Sequence, residues 1–281
     1  YQIFFSQYWF YYLLSQIFVV ISFYYVFKLS KEILNNNLLG LISVLLIETI
    51  YFYNFTSPEF NVNVSQLPFW ALSVYFFWKG LNLNKKIDWI LFGVFSALGF
   101  LSKYLFIYIL FSLLIFFVFN IKKYKRSTKN YFLSIILSLI LLTPHFIWLF
   151  DNNFITIFYG LNRSGISDFY FINHFKNPAI FLLKQMIILI PFFIMAFAII
   201  KKLKFKININ DKKTLFLVFI NLIPFMLMFL TSLLTGAEIR TMWMTPFYLF
   251  LGTLFVAVFK KKIEFKKIKK FNYIFLFFFL F

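Results

Sequence analysis

The sequence predicts an all-α, polytopic membrane protein, and its composition is the first observation behind that prediction. Hydrophobic residues make up 62% of the 281 positions, and charged residues only 13%. Soluble domains contain roughly 45–50% apolar and about 25% charged residues. A soluble protein of this length could not bury so much apolar surface. We therefore expect lipid to solvate most of the chain.

The second observation is the length of the apolar runs. A helix needs about 20 mostly apolar residues to cross a bilayer. By that criterion, residues 1–281 form a single transmembrane domain with about nine to ten spanning helices. Complete spans are expected at 6–27, 37–55, 64–79, 87–102, 104–120, 131–150, 179–200, 214–235 and 242–259, and a tenth begins near 271. The chain starts at Tyr1 and stops inside an apolar run, so we expect a fragment truncated at both ends.

The third observation is the distribution of basic residues between the spans. If successive connections alternate between two sides, 23 of the 28 Lys and Arg residues fall on one side. The other side receives Lys103, Arg163, Lys176, Lys184 and Arg240. Basic residues collect in cytoplasmic loops, so the basic side is expected to be cytoplasmic. This topology also accounts for the net charge of +19, and we expect no nucleic-acid partner.

Function is expected on the opposite, non-cytoplasmic side, where Lys103 is the most conspicuous residue. It is the only charged residue between Trp89 and Phe119, and it lies where the fourth span ends and the fifth begins. Ionisable groups near the membrane are costly and tend to be functional. Snorkelling toward lipid phosphates is the alternative for Lys103 and for Arg240. For Glu59, the alternative is simple helix capping.

Four polar segments meet on that side, at 53–66, 101–104, 143–177 and 235–243. We expect Lys103, Glu59 and Arg240 to surround one cavity open to the outer leaflet. Other residues expected to line this cavity are Asn61, Asn63, Tyr104, His145, Asp151 and Glu238.

The loop at 143–177 is expected to contain a short interfacial helix. Phe154, Ile157, Phe158 and Leu161 recur at helical spacing. Asp151, Asn152 and Asn153 precede them and indicate an Asx-type start, while Gly165 indicates the end. Such an amphipathic helix lies parallel to the membrane plane at 153–163 and suits a protein that handles lipid-linked substrates. The alternative is a loop that merely rests on the bilayer.

Several classes of site are excluded because their sequence motifs are absent. The sequence has no phosphate-binding loop, no dinucleotide-binding glycine pattern, no H-E-x-x-H and no cysteine. His145 and His174 lie on the same side but are 29 residues apart, so no metal ligand set is assigned.

Four stretches resemble the membrane glycosyltransferases of the GT-C superfamily, specifically the glycosyltransferase 39-like group of protein O-mannosyltransferases and the lipid A aminoarabinose transferase. They are F-T-S-P-E-F-N-V-N-V-S-Q-L-P-F-W-A-L-S-V-Y-F-F-W-K-G-L at 55–81, D-W-I-L-F-G-V-F-S-A-L-G-F-L-S-K-Y at 88–104, T-P-H-F-I-W-L-F-D-N-N-F-I-T-I-F at 143–158 and I-R-T-M-W-M-T-P-F-Y-L-F at 239–250. The stretches occur in the family's order, and the resemblance covers about residues 10 to 260.

The resemblance implies a hexosyl or pentosyl transferase that moves a sugar from a polyprenyl-phosphate donor to a lipid, glycan or protein acceptor. Lys103 would bind the donor phosphate, with Arg240 and Arg163 as further candidates. Glu59 would orient the acceptor or sugar, or hold a divalent cation; no other cofactor is implied. The family's catalytic aspartate lies in a first outer loop that this chain lacks, so we expect the general base upstream of Tyr1 and the fragment itself to be inactive.

The expected location is the bacterial inner (plasma) membrane, with the active face periplasmic or extracellular and with membrane lipids as further partners. Two alternatives to a transferase stay open. A lipid-linked oligosaccharide flippase or polysaccharide exporter would place charged residues along a path within its helices, whereas only Glu48 lies inside a predicted span. A non-catalytic membrane scaffold would not need polar residues converging on one face.

Overall fold

The described part of the chain is predominantly helical. The computed structural model describes residues 9–165, 170–201 and 210–280. Within them the only β-type pairing is one isolated bridge between Ile200 and Ile263. The α-helices, in chain order, are α1 Trp9–Leu34, α2 Asn37–Glu48, α3 Tyr51–Asn54, α4 Val62–Ser65, α5 Leu67–Leu83, α6 Lys86–Ser102, α7 Ile107–Phe119, α8 Thr128–Asp151, α9 Ile155–Arg163, α10 Asn173–Ile188, α11 Ile190–Ala198, α12 Lys212–Thr235, α13 Leu251–Phe259 and α14 Ile268–Leu280.

The all-helical class is confirmed, but the count of nine to ten spans is not. In the described residues, three helices are long and apolar enough to cross a bilayer: α1, α8 and α12. Two bent helix pairs raise that number to as many as five. One is α10 with α11, bent by 41°; the other is the 3₁₀ helix Thr241–Tyr248 with the helical segment from Leu251, bent by 49°.

The other predicted spans correspond to helices of 17 residues or fewer, such as α5 and α6 with 17 residues each, α7 with 13 and α2 with 12. The 37–55 run is helical only to Glu48, where α2 ends before the separate turn α3. Pro191 at the start of α11 and Pro246 within the 3₁₀ helix lack a backbone N–H, which accounts for breaks in two other runs. Residues 6–8 of the first predicted span and 202–209 of the connection that follows the 179–200 span lie outside the described residues.

Close backbone contacts join consecutive helices and also helices that are distant in sequence. α6 packs between α5 and α8, α7 packs against α12, and α2 lies between α1 and α13. At the α2–α13 contact, Gly252 faces the carbonyl oxygen of Ser43, and a Cβ at Gly252 would lie only 2.0 Å from that oxygen. Small residues of this kind allow membrane helices to approach closely, and packing across the contact holds them together.

Gly252→Ala is therefore expected to destabilise the protein, whereas Gly160→Ala is not. Nothing lies within 4 Å of a Cβ built at Gly160, so that variant is a matched control in an exposed helix. Overpacking of a core contact costs about 1–3 kcal/mol. The alanine methyl group would meet backbone atoms of Ser43, which cannot move aside as the end of a flexible side chain can. Thermal unfolding in detergent measures the difference. Equal melting temperatures for the two variants would contradict the α2–α13 contact.

The helix termini divide into two ends of the bundle. At one end, Lys213 Nζ donates to Asn35 Oδ1 at 3.1 Å, Lys212 Nζ donates to Asn82 Oδ1 at 2.8 Å, and Asn84 Nδ2 donates to the carbonyl oxygen of Arg126 at 3.2 Å. We call it the basic end, because it gathers the connections at 28–37, 79–86, 120–128, 210–213 and 260–267. The alternation of connections in the sequence predicts this gathering.

The other end, which we call the polar end, gathers the connections at 55–66, 103–106, 151–165, 170–177 and 235–243. Asn177 Nδ2 donates to the carbonyl oxygen of Gly236 at 2.6 Å, and the backbone N–H of Glu238 donates to the carbonyl oxygen of Ser164 at 2.8 Å. These contacts tie the segment after α12 to Ser164 at the end of α9 and to the N-terminal part of α10. The sequence-predicted site residues therefore belong to this end, except His145, which lies within α8 and contacts Tyr104 of this end.

Candidate functional site

Lys103 occupies a one-residue turn between α6 and the 3₁₀ helix Tyr104–Phe106. Its backbone is extended, with φ −165° and ψ 133°. Its N–H donates to the carbonyl oxygen of Gly99 at 3.2 Å, and its carbonyl oxygen accepts from Phe106 N–H at 3.0 Å. With both flanks helical, the backbone at Lys103 has little freedom, and its side chain is half-buried.

The Lys103 ammonium contacts two side chains from other parts of the fold. Nζ donates to Oδ1 of the buried Asn63 and lies 5.5 Å from the ring centroid of Trp243. A cation over an indole ring is attracted by the negative face of that ring. Three elements therefore meet at this ammonium: the turn after α6, the single-turn helix α4 and the 3₁₀ helix Thr241–Tyr248.

No carboxylate neutralises Lys103 within the described residues. The ion pairs there join Lys184 to Glu238, and Lys201 and Lys267 to Glu264. Burial, and to a smaller extent the charge of Arg163, lower the pKa of Lys103 from its usual 10.5 to about 7. Removing a cation from water is costly unless an opposite charge replaces the lost hydration. An anion bound at this position would supply that charge.

Arg163 comes from the end of α9 and adds a second positive charge near Lys103. Its guanidinium Nη1 donates to the hydroxyl oxygen of Tyr159 at 2.6 Å, and its Cζ lies 5.7 Å from that ring centroid. The Arg163 side chain is exposed.

The 59–66 segment positions Asn63 through a cap. Asn61 Oδ1 accepts from the backbone N–H groups of Asn63 at 2.8 Å and Val64 at 3.3 Å, which starts α4. Capping at this turn is therefore performed by Asn61 and not by Glu59. Glu59 is exposed, and among the described residues its carboxylate has no hydrogen-bond or ion-pair partner.

Tyr104 joins the Lys103 turn to the loop after α8. Its hydroxyl lies 2.9 Å from Nε2 of His145 and 2.7 Å from Oγ1 of Thr156. His145 belongs to α8 and Thr156 to α9. The Tyr104 hydroxyl therefore links the first turn of α9 to α8 and to the turn at Lys103.

Tyr104→Phe is expected to loosen α9 and leave the rest of the fold intact. The change removes two hydrogen bonds and keeps the ring, at a cost of about 0.5–1.5 kcal/mol for each bond. Hydrogen exchange of residues 155–163 should become faster. Tyr108→Phe is the control, since the Tyr108 hydroxyl contacts Thr231 Oγ1 at 2.8 Å and not α9. Unchanged exchange in α9 of the Tyr104 variant would show that the clamp contributes nothing.

The other sequence-predicted residues lie at the same end but do not contact Lys103. Arg240 is exposed and directly precedes the 3₁₀ helix that carries Trp243. Glu238 Oε1 lies 3.8 Å from Lys184 Nζ. Asp151 is the exposed last residue of α8. The structure thus brings together Lys103, Asn63 and the charge of Arg163, and leaves Glu59, Arg240, Glu238 and Asp151 at the periphery.

A helix is present where the interfacial helix is predicted, but its start differs. α9 begins after Phe154, and neither Asp151 nor an asparagine caps it. Asn152 Nδ2 donates back to the carbonyl oxygen of Trp148 at 2.8 Å, while Asn153 and Phe154 adopt left-handed φ values of 50° and 56°. The Asx-type start is therefore wrong. Gly165, with φ +68°, follows the end of α9 as expected, and residues 166–169 of the predicted 143–177 loop lie outside the described residues.

The sequence does not reveal the contacts of Trp243 and Thr156 or the burial of Gln66. Trp243 and Thr156 lie within segments that were singled out, but their partners are 140 and 52 residues away. Gln66 is fully buried one helical turn after Asn63, and among the described residues its amide has no hydrogen-bond partner. The signal available for Gln66 was its position at the end of a polar segment, directly before an apolar helix.

A comparison with known families adds an independent observation to this geometry. The model of the family described as dolichyl-phosphate-mannose-protein mannosyltransferase matches residues 1–148, which is more than half of the chain. The chain belongs to this mannosyltransferase family. No curated protein and no solved structure matches it.

Membership of the dolichyl-phosphate-mannose-protein mannosyltransferase family confirms the GT-C resemblance and supports a membrane glycosyltransferase in general. Together with the long apolar helices, it also supports an integral membrane protein. The matched region contains Asn63, Lys103, Tyr104 and His145, whereas Arg163 and Trp243 come from the part of the chain that follows it.

Proposed function

We propose that this protein transfers a sugar from a polyprenyl-phosphate donor, and that Lys103 binds the donor phosphate. The observation that carries the proposal is a half-buried ammonium that has an amide and an indole as neighbours but no carboxylate in the described residues. A monoanionic phosphodiester matches such a cation in charge, and a charge-assisted hydrogen bond to a phosphate oxygen is among the stronger ones.

The chemistry needs a cation at the leaving group. The acceptor oxygen forms a bond to the anomeric carbon of the sugar, the bond from that carbon to the phosphate oxygen breaks, and the phosphate departs with the electron pair. The leaving phosphate gains one negative charge as the reaction proceeds. A preorganised cation where charge develops is commonly the largest single contribution to rate. Lys103 has that role in the proposal, and Arg163 the role of a second, mobile cation.

The acceptor proton must pass to a base, for which a carboxylate is suitable. Glu59 is the acidic residue of the turn that positions Asn63, and we assign it to orienting the acceptor or sugar, or to holding a divalent cation. Arg240 is assigned to the rim of the site, where an exposed cation attracts the donor before it binds.

The surface of α9 supports a donor that arrives from the membrane. Ile155, Phe158 and Tyr159 are 60%, 57% and 61% exposed, and no residue of this helix is buried. An apolar, exposed helix that ends at Arg163 fits the headgroup layer. We propose that α9 lies in that layer on the non-cytoplasmic side, which is periplasmic or extracellular if the protein resides in a bacterial inner membrane.

Donor class is tested with the purified full-length protein in nanodiscs. Polyprenyl-phosphate hexoses and pentoses and the matching nucleotide sugars are each supplied with a mixture of lipid, glycan and peptide acceptors. We expect transfer from a lipid-phosphate donor and none from nucleotide sugars. Transbilayer movement of the donor without bond formation would instead indicate a flippase, and transfer from nucleotide sugars would overturn the donor assignment.

A further inference from the structure

The basic end contains a cavity that the proposed transferase site does not use. Its volume is about 690 Å³, and it is lined by Lys28, Lys31, Glu32, Tyr75 and the three asparagines at 35–37. It forms where α1 ends and the chain turns into α2. Asn35 has a left-handed φ of 52°, and Asn36 Oδ1 caps α2 by accepting from Leu39 N–H at 2.9 Å.

The lysines of this cavity are not neutralised. Lys28 Nζ lies 4.7, 5.3 and 5.9 Å from the ring centroids of Tyr24, Tyr25 and Tyr75. Lys31 is exposed. In the part of the chain that the structure describes, neither lysine forms an ion pair. Tyr24, Tyr25 and Tyr75 hold the Lys28 cation in place without cancelling its charge. Lys31 lies on the surface, so the positive charge of both residues can attract an anion.

The acidic residue in the lining does not change this balance. Glu32 Oε1 accepts from the indole N–H of Trp78 at 3.2 Å. Two lysines against this one carboxylate leave the lining positive. Further positive charge lies at its margin, since Lys213 Nζ donates to Asn35 Oδ1 at 3.1 Å and Lys79 Nζ lies 6.0 Å from the Tyr75 centroid.

The flank of the cavity is apolar and exposed. On the same helix as Lys28, Val20 is 63% and Tyr24 52% exposed. In a membrane protein, such a surface faces lipid chains, and lysines at the following helix end lie at the depth of the headgroups. A ligand with both a phosphate and an acyl chain would therefore contact the cavity and the flank together.

We propose that this cavity binds the phosphate group of an anionic lipid headgroup. Lys28 and Lys31 contact the phosphate oxygens, and the asparagine amides at 35–37 supply neutral donors. The site is distinct from the one at Lys103, because the two occupy opposite ends of the bundle. The inference does not depend on the donor assigned to the transferase.

Ligand binding to purified, delipidated protein tests the proposal. Short-chain phosphatidylglycerol, phosphatidylcholine and inorganic phosphate are titrated separately, and Kd is measured by microscale thermophoresis. We expect tighter binding of phosphatidylglycerol than of zwitterionic phosphatidylcholine. Lys28→Gln/Lys31→Gln should raise the Kd for phosphatidylglycerol about tenfold or more, as expected for lost hydrogen bonds to a charged group.

The matched control is Lys122→Gln/Lys125→Gln, which removes the same charge from another connection at the basic end. Both residues are exposed, and exposed charges contribute little, so the Kd should change by less than about threefold. Lys28→Arg/Lys31→Arg keeps the charge and should retain most of the affinity. If the double Gln variant does not fold, Lys31→Gln alone provides the test, because its side chain is on the surface.

Each result decides between the proposal and its rivals. An equal loss in both double Gln variants, or equal binding of the two phospholipids, would mean diffuse attraction to positive charge and would overturn the site. Inorganic phosphate that binds only when Lys28 and Lys31 are present, while phosphatidylglycerol does not bind, would identify a soluble phosphate as the source. Phosphatidylglycerol binding that depends on the two lysines would identify the lipid.

Discussion

Lys103→Ala is expected to reduce sugar transfer by the full-length protein about a hundredfold to a thousandfold, the effect of removing one preorganised charge-stabilising group. The truncated side chain can no longer meet the charge that develops on the leaving phosphate. Lys103→Arg should recover only part of the rate, because a planar guanidinium replaces a compact ammonium in a one-residue turn. The measurement is transfer from a polyprenyl-phosphate sugar by purified variants with matched expression and melting temperature.

Lys176→Ala is the control for this experiment. Lys176 is exposed at the same end of the bundle, so its loss removes the same charge without touching the proposed phosphate site. A lysine that merely snorkels to lipid would behave like this control. If Lys103→Ala keeps its activity within about threefold of the wild type, the activation barrier has risen by only about 0.65 kcal/mol. So small a rise would contradict a contact with the leaving group.

Donor affinity is expected to fall as the pH rises above 7. The pKa of Lys103 in the free protein is about 7, and only the ammonium form binds an anion. Above this pKa the charged fraction decreases tenfold per pH unit, so Kd should rise about tenfold per unit until the pKa of the bound form is reached. A phosphodiester donor keeps its single negative charge over this range and contributes no slope.

The experiment is equilibrium binding of a non-transferable donor analogue between pH 6 and 9, which avoids the titration of any catalytic base. Lys103→Arg is the matched variant, because a guanidinium stays charged throughout. Its Kd should be flat with pH even if its affinity is lower. The same slope in wild type and Lys103→Arg would assign the pH dependence to another group and remove Lys103 from the phosphate site.

The positions of the helices could be predicted from the sequence because apolar run length is a local property. The 131–150 run corresponds to α8 at Thr128–Asp151, and the 214–235 run to α12 at Lys212–Thr235. The turn at Lys103 was also predictable, since two apolar runs leave room for one connecting residue. Breaks inside apolar runs were not predicted, although Pro191 and Pro246 marked two of them.

Contacts within the candidate site could be predicted only in part. The alternation of connections predicts that Lys103 and the 53–66 segment share an end. It does not predict that Asn63, rather than Glu59 four residues earlier in the chain, contacts Nζ of Lys103. That choice depends on the Asn61 cap, which fixes the direction of α4. Trp243 is 140 residues from Lys103, and no local pattern connects residues across such a separation.

The Tyr104 clamp would couple the site to the surrounding bilayer if α9 lies in the headgroup layer. Its hydroxyl links α9 to the residue adjacent to Lys103, and α9 exposes apolar side chains along its length. A change in lateral pressure or bilayer thickness would shift a helix that lies in the headgroup layer. The shift would pass from Thr156 of α9 to Tyr104, and from Tyr104 to the adjacent Lys103. Turnover would then be set partly by the mechanical state of the membrane in which the enzyme resides.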